Sequence, residues 1–369
     1  MIINKNSLRV AMLGHKNKLT IFVLVAVAAN LSIYTAAAKI DYHGAYYVHY
    51  SPERIDYMNE LAGANNLLKI DYDAESIMGT NWQDLHNRIK SQGYKAVALS
   101  LNSMLGFNNA LSEDIFTNKS NARLNYLYEI KSQLSYKSDF IKSVAMIHIH
   151  EEQYTFLDGG RYEEWWNWTV FSSLTTAQCM SMYQTANLTD CKRFRMKQGL
   201  EEYIADVKKY FPTIPVIIVE SWWGDWRIPP SNLDILGIDA YYIQTSDLCD
   251  ATQRAKFDYQ VTRIFNLAKQ YNKPLYMVAP SFSGGGYTMH SSCQAQWYID
   301  LAKSDPAIIG LDWFVYQGVV DIVGVRNHPS GLSDYLKQQG TQIYASANPT
   351  VPNNNLMPKG NLDSISSTG

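Results

Sequence analysis

MKQGLEEYIADVKKYFPTIPVIIVESWW, residues 196–223, contains one repeat of the fold. Residues 196–211 carry apolar positions at helical period, a tight turn ended by proline follows, and residues 214–223 form a short apolar run of strand length. A helix that feeds a strand through so short a turn is half of an alternating α/β unit. The same junction recurs at KQYNKPLYM, residues 269–277.

Outward from this stretch the alternation continues in both directions. Strand patterns occur at KIDYHGAYYVHY (39–50), LLKIDYDA (67–74), KAVALSLNSML (95–105), SVAMIHIHEE (143–152), IPVIIVESWW (214–223), LDILGIDAYYI (233–243), KPLYMVAPSF (273–282) and AIIGLDWFVYQG (307–318). Helical patterns lie between them at residues 51–64, 81–93, 121–136, 196–211, 253–271 and 292–305, several opened by a Ser, Asn or Asp cap. Eight strands alternating with helices predict a single-domain (β/α)8 TIM barrel over residues 39–346. A doubly wound open sheet is the alternative, and no glycine-rich phosphate loop follows the first strand to favour it. GDWRIPPSN, residues 224–232, is too short for a full helix, so the fifth crossover is expected to be reduced. Residues 153–194, rich in Trp, Thr and Cys, read as a long insertion after the fourth strand, and the polar segment 347–369 as a disordered tail.

The chain has 369 residues, 46% of them hydrophobic, with 32 basic against 34 acidic side chains. That balance gives no electrostatic case for nucleic acid or an anionic membrane surface. Lys5, Arg9, Lys16 and Lys18 precede an apolar run that ends in Ala36, Ala37 and Ala38, the pattern of a cleaved secretory signal over residues 1–38. The expected location is secreted or periplasmic, with no membrane attachment after cleavage. Export makes two disulfides plausible, with Cys179–Cys191 the first guess and Cys249–Cys293 the remainder.

In a barrel strand alternate residues turn inward, and the reactive mouth lies at the C-terminal strand ends. On the fourth strand Met146, His148, His150 and Glu152 form the inward set, which separates Glu152 from Glu151. Asn102, Asp239, Tyr241, Asp312 and Tyr316 fall on inward sets of the third, sixth and eighth strands. The fifth strand is apolar on both faces, so Glu220 is assigned only by its position at the C-terminal end. Asp73 ends the second strand with Asp71 one inner step below, and Lys69 and Arg227 are the nearby cations. Trp222 and Trp223 lie in an aromatic cluster suited to stacking on sugar rings. Paired carboxylates beside indole rings fit glycoside hydrolysis, in which one acid protonates the leaving oxygen and a second carboxylate attacks or activates water. The catalytic candidates are Glu152, Glu220 and Asp239; the carbohydrate-binding candidates are His148, His150, Asn102, Trp222, Trp223, Tyr241, Asp312 and Tyr316.

The sequence resembles the glycoside-hydrolase-like (β/α)8 barrels, and within them a bacterial set whose fourth strand ends in a D-E-P-Y type motif and whose sixth carries G-x-D-x-Y. The matching positions read EEQY (151–154) and GIDAYY (237–242), and the resemblance implies Glu152 as the acid. The chain departs from the large retaining clan with Asn-Glu on strand four and a nucleophilic Glu on strand seven. Its fourth strand has Glu-Glu and its seventh has no acid. Two other readings compete: a metal hydrolase built on the His148/His150 pair, for which the further histidines expected on strands five and six are absent, and a non-catalytic carbohydrate-binding or cell-surface barrel. The first choice needs no cofactor or metal.

Overall fold

The computed structural model describes residues 40–45, 54–101, 121–151, 176–184, 188–221, 229–239, 249–284, 291–316, 318, 322–328 and 331–346. The expected signal segment, the tail from residue 347 and much of the 153–194 insertion lie outside them. All eight expected strands form. They are β1 (Tyr42–Ala45), β2 (Leu67–Asp71), β3 (Ala96–Ser100), β4 (Val144–Glu151), β5 (Val216–Ser221), β6 (Ile235–Asp239), β7 (Leu275–Pro280) and, after the short β8 (Phe282–Gly284), β9 (Ile308–Phe314). The large sheet runs β1-β9-β7-β6-β5-β4-β3-β2, and every pairing in it is parallel.

Nine α-helices stand among the described residues: α1 (Arg54–Leu61), α2 (Tyr72–Ile77), α3 (Trp82–Ser91), α4 (Asn121–Lys131), α5 (Thr176–Tyr183), α6 (Leu188–Tyr210), α7 (Ala251–Gln270), α8 (Ser292–Ser304) and α9 (Leu332–Ser346). Their starts follow local chemistry. Asn81 caps α3 by accepting the backbone N–H groups of Gln83 at 3.1 Å and Asp84 at 3.2 Å. Ser291 and Gln294 close a capping box on α8. The buried faces keep helical spacing, with Leu85 and Ile89 on α3, Leu200, Ile204 and Val207 on α6, and Ala295, Ile299 and Ala302 on α8. Each fully buried Leu, Ile or Val side chain contributes about 1.5–3 kcal/mol. α6 begins at Leu188, inside the segment read as an insertion, and α5 lies wholly within it.

The described end of the fifth crossover, residues 229–234, is tied to α6 by hydrogen bonds, while residues 222–228 lie outside the described set. Glu201 Oε1 on α6 accepts the N–H of Ser231 at 2.8 Å and its hydroxyl at 2.6 Å. Lys208 Nζ donates to the Asn232 carbonyl at 2.7 Å and to Asp234 at 2.8 Å, while Asp234 also accepts the Val216 N–H at 2.8 Å. Residues 229–234 contain no helix, and side chains of α6 satisfy the Ser231 N–H and the Asn232 carbonyl.

The cylinder is nearly closed, and its last seam, between β1 and β2, is made largely by side chains. Asn66 Oδ1 accepts the His43 N–H at 2.8 Å, its Nδ2 donates to the Asp41 carbonyl at 3.0 Å, and its backbone N–H donates to the His43 carbonyl at 3.0 Å. With the Asn65 amide in the orientation that satisfies both its groups, its oxygen accepts the Ala45 N–H at 3.2 Å. His43 is buried here: its Nδ1 faces the Ala64 carbonyl at 3.1 Å and its Nε2 accepts the Trp313 indole N–H at 3.0 Å. Both ring nitrogens are thus assigned to the neutral imidazole, and burial pushes its pKa down from 6.5 to about 4. Gly340 lets α9 approach this seam, since a Cβ there would sit 2.2 Å from the Ala64 carbonyl oxygen and 2.7 Å from the His43 ring.

One feature was not read from the sequence, and one expected bond is present. β8 pairs antiparallel with β10 (Ile322–Gly324), a hairpin placed after β7 and β9. Cys249, just before α7, is bonded to Cys293 at the start of α8, with 6.0 Å between Cα atoms, as the cysteine count anticipated. Cys191 is also disulfide-bonded; the Cys179 side chain lies outside the described residues. Among the described residues no helix is long and apolar enough to cross a membrane.

Candidate active site

Residues paired across parallel strands point to the same face of the sheet, so the register identifies the barrel interior. Leu67, Ala96, Ala98, Met146, Ile217, Val219, Ile235, Tyr276 and Val278 form one apolar cluster, distinct from the cluster shared with the helices. Toward the C-terminal strand ends the same inner faces turn polar. Lys69 and Asp71 follow Leu67, Ser100 follows Ala98, His148 follows Met146, Asp239 follows Gly237 and Asp312 follows Gly310. None is more than 4% exposed, too deep for charges that serve only solubility.

These residues form two lateral rows. Asp71 pairs with Ser100 and Ser100 with His148. Asp239 pairs with Val278, Val278 with Asp312, and Asp312 with Gly44. Asp239 and Asp312 are therefore two strand spacings apart, roughly 10 Å between Cα atoms. Gly44 makes room for the second acid, because a Cβ there would lie 2.7 Å from Asp312 Oδ1.

The expected site residues divide into four groups. His148, Asp239 and Asp312 lie on the interior face as the alternation requires. His150 lies on β4, and its side chain is outside the described set. Glu152, Asn102, Trp222, Trp223 and Tyr241 also lie outside the described residues.

Glu220 and Tyr316 are placed differently from the expectation. Glu220 pairs with Ile238, and it alternates with Ile217 and Val219, which face inward, so it belongs with Val216 and Ile218 on the helix-facing side. The apolar character of both β5 faces had concealed that parity. Tyr316 follows the end of β9 at Phe314, where strand alternation stops. Its backbone carbonyl accepts the Arg326 N–H at 2.9 Å, and its phenol donates to Glu60 on α1 at 2.7 Å. Glu60 also pairs with Arg326, whose guanidinium stacks over Tyr57 at 4.6 Å. Tyr316 therefore fastens α1 to the barrel. Asp73 opens α2 and accepts the Tyr126 phenol on both carboxylate oxygens, at 2.8 and 2.9 Å. Burial first, then the Asp73 charge, holds that phenol far above its usual range.

Tyr276 is an interior residue that the sequence reading passed over, because β7 was searched for acids and has none. Its phenol is buried; burial, then the nearby Asp312 charge, push it well above the ordinary tyrosine range. The available clue was parity with Val278 on the inward face of β7. Among the described residues no group of three or more His, Cys, Asp or Glu side chains is arranged to hold a metal ion.

No protein-family model matches this chain, and no curated protein matches it. Among solved structures it is similar to the β-galactosidase from Rahnella sp. R3, at 14% identity over 84% of this chain and 56% of that one, with a TM-score of 0.54. It is also similar to the β-galactosidase from the psychrophilic Marinomonas ef1, at 10% identity over 83% of this chain and 60% of that one, with a TM-score of 0.51. The chain thus spans about half to three-fifths of the length of the solved structures it first matches. What is shared at these identities is the fold: this is an α/β protein built as a TIM barrel.

Proposed function

We propose that this chain is an extracytoplasmic glycoside hydrolase of TIM-barrel type. The observation that carries the reading is the inward polar layer of Asp71, His148, Asp239 and Asp312 at the C-terminal strand ends, above an apolar floor. Active sites of TIM-barrel enzymes lie at that end of the barrel. The solved structures it resembles in fold include two β-galactosidases, which agrees with the reading. Glu152 is the proposed general acid, taken from the alternation and the motif resemblance; it follows β4, whose register against β5 shifts between His148 and Glu151, with Glu151 opposite Val219. Asp239 is the proposed second carboxylate, a choice supported by the helix-facing parity of Glu220. An acid from the fourth-strand end and another on β6 would have one strand between them, a spacing that leaves room for water and suits inversion. The D-E-P-Y resemblance at residues 151–154 supports the same acid. The Cys249–Cys293 disulfide supports an oxidising compartment.

The test is turnover of a panel of poly- and oligosaccharides by the purified protein, with Glu152→Gln and Asp239→Asn alongside. Wild-type activity that falls at least about a hundredfold in each variant is expected from the size of acid–base contributions. Binding of a glycan by all three proteins without turnover would instead favour the non-catalytic carbohydrate-binding barrel.

A further inference from the structure

We propose that the hydrogen bond between His43 and Trp313 is an acid-sensitive latch, whose failure releases β1 and α9 from the barrel while the other strands stay paired. The inference stands on packing and hydrogen-bond chemistry, and it is independent of the hydrolase reading. His43 pairs with Leu311 on the helix-facing side, while Gly44 pairs with the inward Asp312. The His43 Nε2 is 3.0 Å from the Trp313 indole nitrogen, which can only donate. Nε2 must therefore accept, and the single ring proton sits on Nδ1, toward the Ala64 carbonyl at 3.1 Å.

A second ring proton would set two N–H donors against each other at Nε2. The residue is 1% exposed, so water does not reach the ring to relieve the conflict, and Gly340 of α9 closes one side, where a Cβ would lie 2.7 Å from a ring carbon. Lys303 at the end of α8 is the charge that acts on the ring, and it too opposes an imidazolium. Tyr298 of α8 packs edge-on against Trp313, with 6.2 Å between ring centroids. The titratable groups of the adjoining strands, Tyr42 on β1, Lys69 and Asp71 on β2 and Asp312 on β9, turn to the interior face. Protonation is thus accommodated only when the ring leaves Trp313.

Topology decides which part yields. β1 has four residues and a backbone ladder to β9 alone, and its other edge meets β2 through the Asn66 side chain and one backbone bond. Segments held by so few buried backbone pairings open before the core. α9 is seated on the same ring through Gly340, so it loses its support with β1. The opening reaches the candidate site, because Gly44 is the wall against which the Asp312 carboxylate packs, and the Trp313 backbone N–H donates to Asp312 Oδ1 at 3.2 Å.

Hydrogen–deuterium exchange of the full chain at about pH 7 and about pH 5, corrected for the intrinsic exchange rates, reads the latch strand by strand. The opening constant of residues 40–45 and 332–346 should rise at least about tenfold on acidification, because the opened ring takes up a proton that the closed one refuses. The strands β4, β5 and β6 should change by less than about twofold. Loss of protection spread evenly over all strands, or none at β1 and α9, overturns the proposal. The Trp313 indole N–H, assigned in NMR spectra by its absence from Trp313→Phe, should exchange in step with the two segments, and an indole that stays protected while they open overturns the latch. His43→Gln keeps an acceptor and does not titrate, so the acid response of both segments should disappear in it; a response that persists overturns the role of His43. The wild-type map needs no variant, and it decides the matter even where His43→Gln does not fold.

Discussion

At the residue scale, His43 shows how burial becomes a pH dependence. Its pKa is about 4 in the fold, below the ordinary 6.5, so above pH 6.5 the ring is neutral both folded and unfolded. Between those values the unfolded chain takes up a proton that the folded ring refuses, and stability falls as pH falls. The loss is complete below about pH 4 and amounts to roughly 3 kcal/mol. Chemical denaturation across pH 4–7 should show this slope, and His43→Gln should flatten it. A slope of the same size in His43→Gln would refute the assignment. Nothing in YHGA, residues 42–45, announces this role, since it depends on Trp313 at the far end of the chain. By contrast, the inward placement of Asp239 and Asp312 was legible, because period-two alternation needs only the strand itself. It failed for Tyr316, where the strand stops, and gave no answer for Glu220, where both faces are apolar.

At the scale of elements, strand existence was more legible than strand environment. All eight apolar runs became strands, and local signals mark some of the boundaries, as Pro215 does before β5 and Asn81 before α3. Elements fixed by distant packing were missed, and α9 is the clearest case. Its seat depends on Gly340, in a helix interior where glycine costs about 1 kcal/mol relative to alanine. On propensity alone Gly340→Ala should stabilise. Here the added methyl would lie 2.2 Å from the Ala64 carbonyl, so a net destabilisation of about 1–3 kcal/mol is expected. Thermal unfolding of Gly340→Ala checks the sign, and a raised Tm would show that α9 can withdraw from the seam without loss.

At the scale of the molecule, the Cys249–Cys293 disulfide joins the connections that follow β6 and β7, two consecutive units of the barrel, across a sequence separation of 44. Closing a loop of that length removes unfolded-state entropy worth about 4 kcal/mol. Reduction, or the paired Cys249→Ser and Cys293→Ser change, should therefore lower the denaturation midpoint clearly while leaving far-ultraviolet circular dichroism native. A midpoint that does not move would mean that the strap restrains nothing. The cysteine count anticipated a bond, but only the barrel, by pairing β6 with β7, brings the segments that follow them close enough for these two partners to meet.

The seam at Asn66 has a consequence for how such a chain can diverge. A cylinder shut by backbone ladders tolerates almost any residue at its joint, since the hydrogen-bonding groups are common to all residues except proline. Here one carboxamide serves both Asp41 and His43. Aspartate could supply only the acceptor, and serine is too short to span both contacts. Descendants of this chain would thus be free to vary most of the outer surface while position 66 stayed fixed. A lineage that lost that amide would inherit seven intact ladders around a split wall.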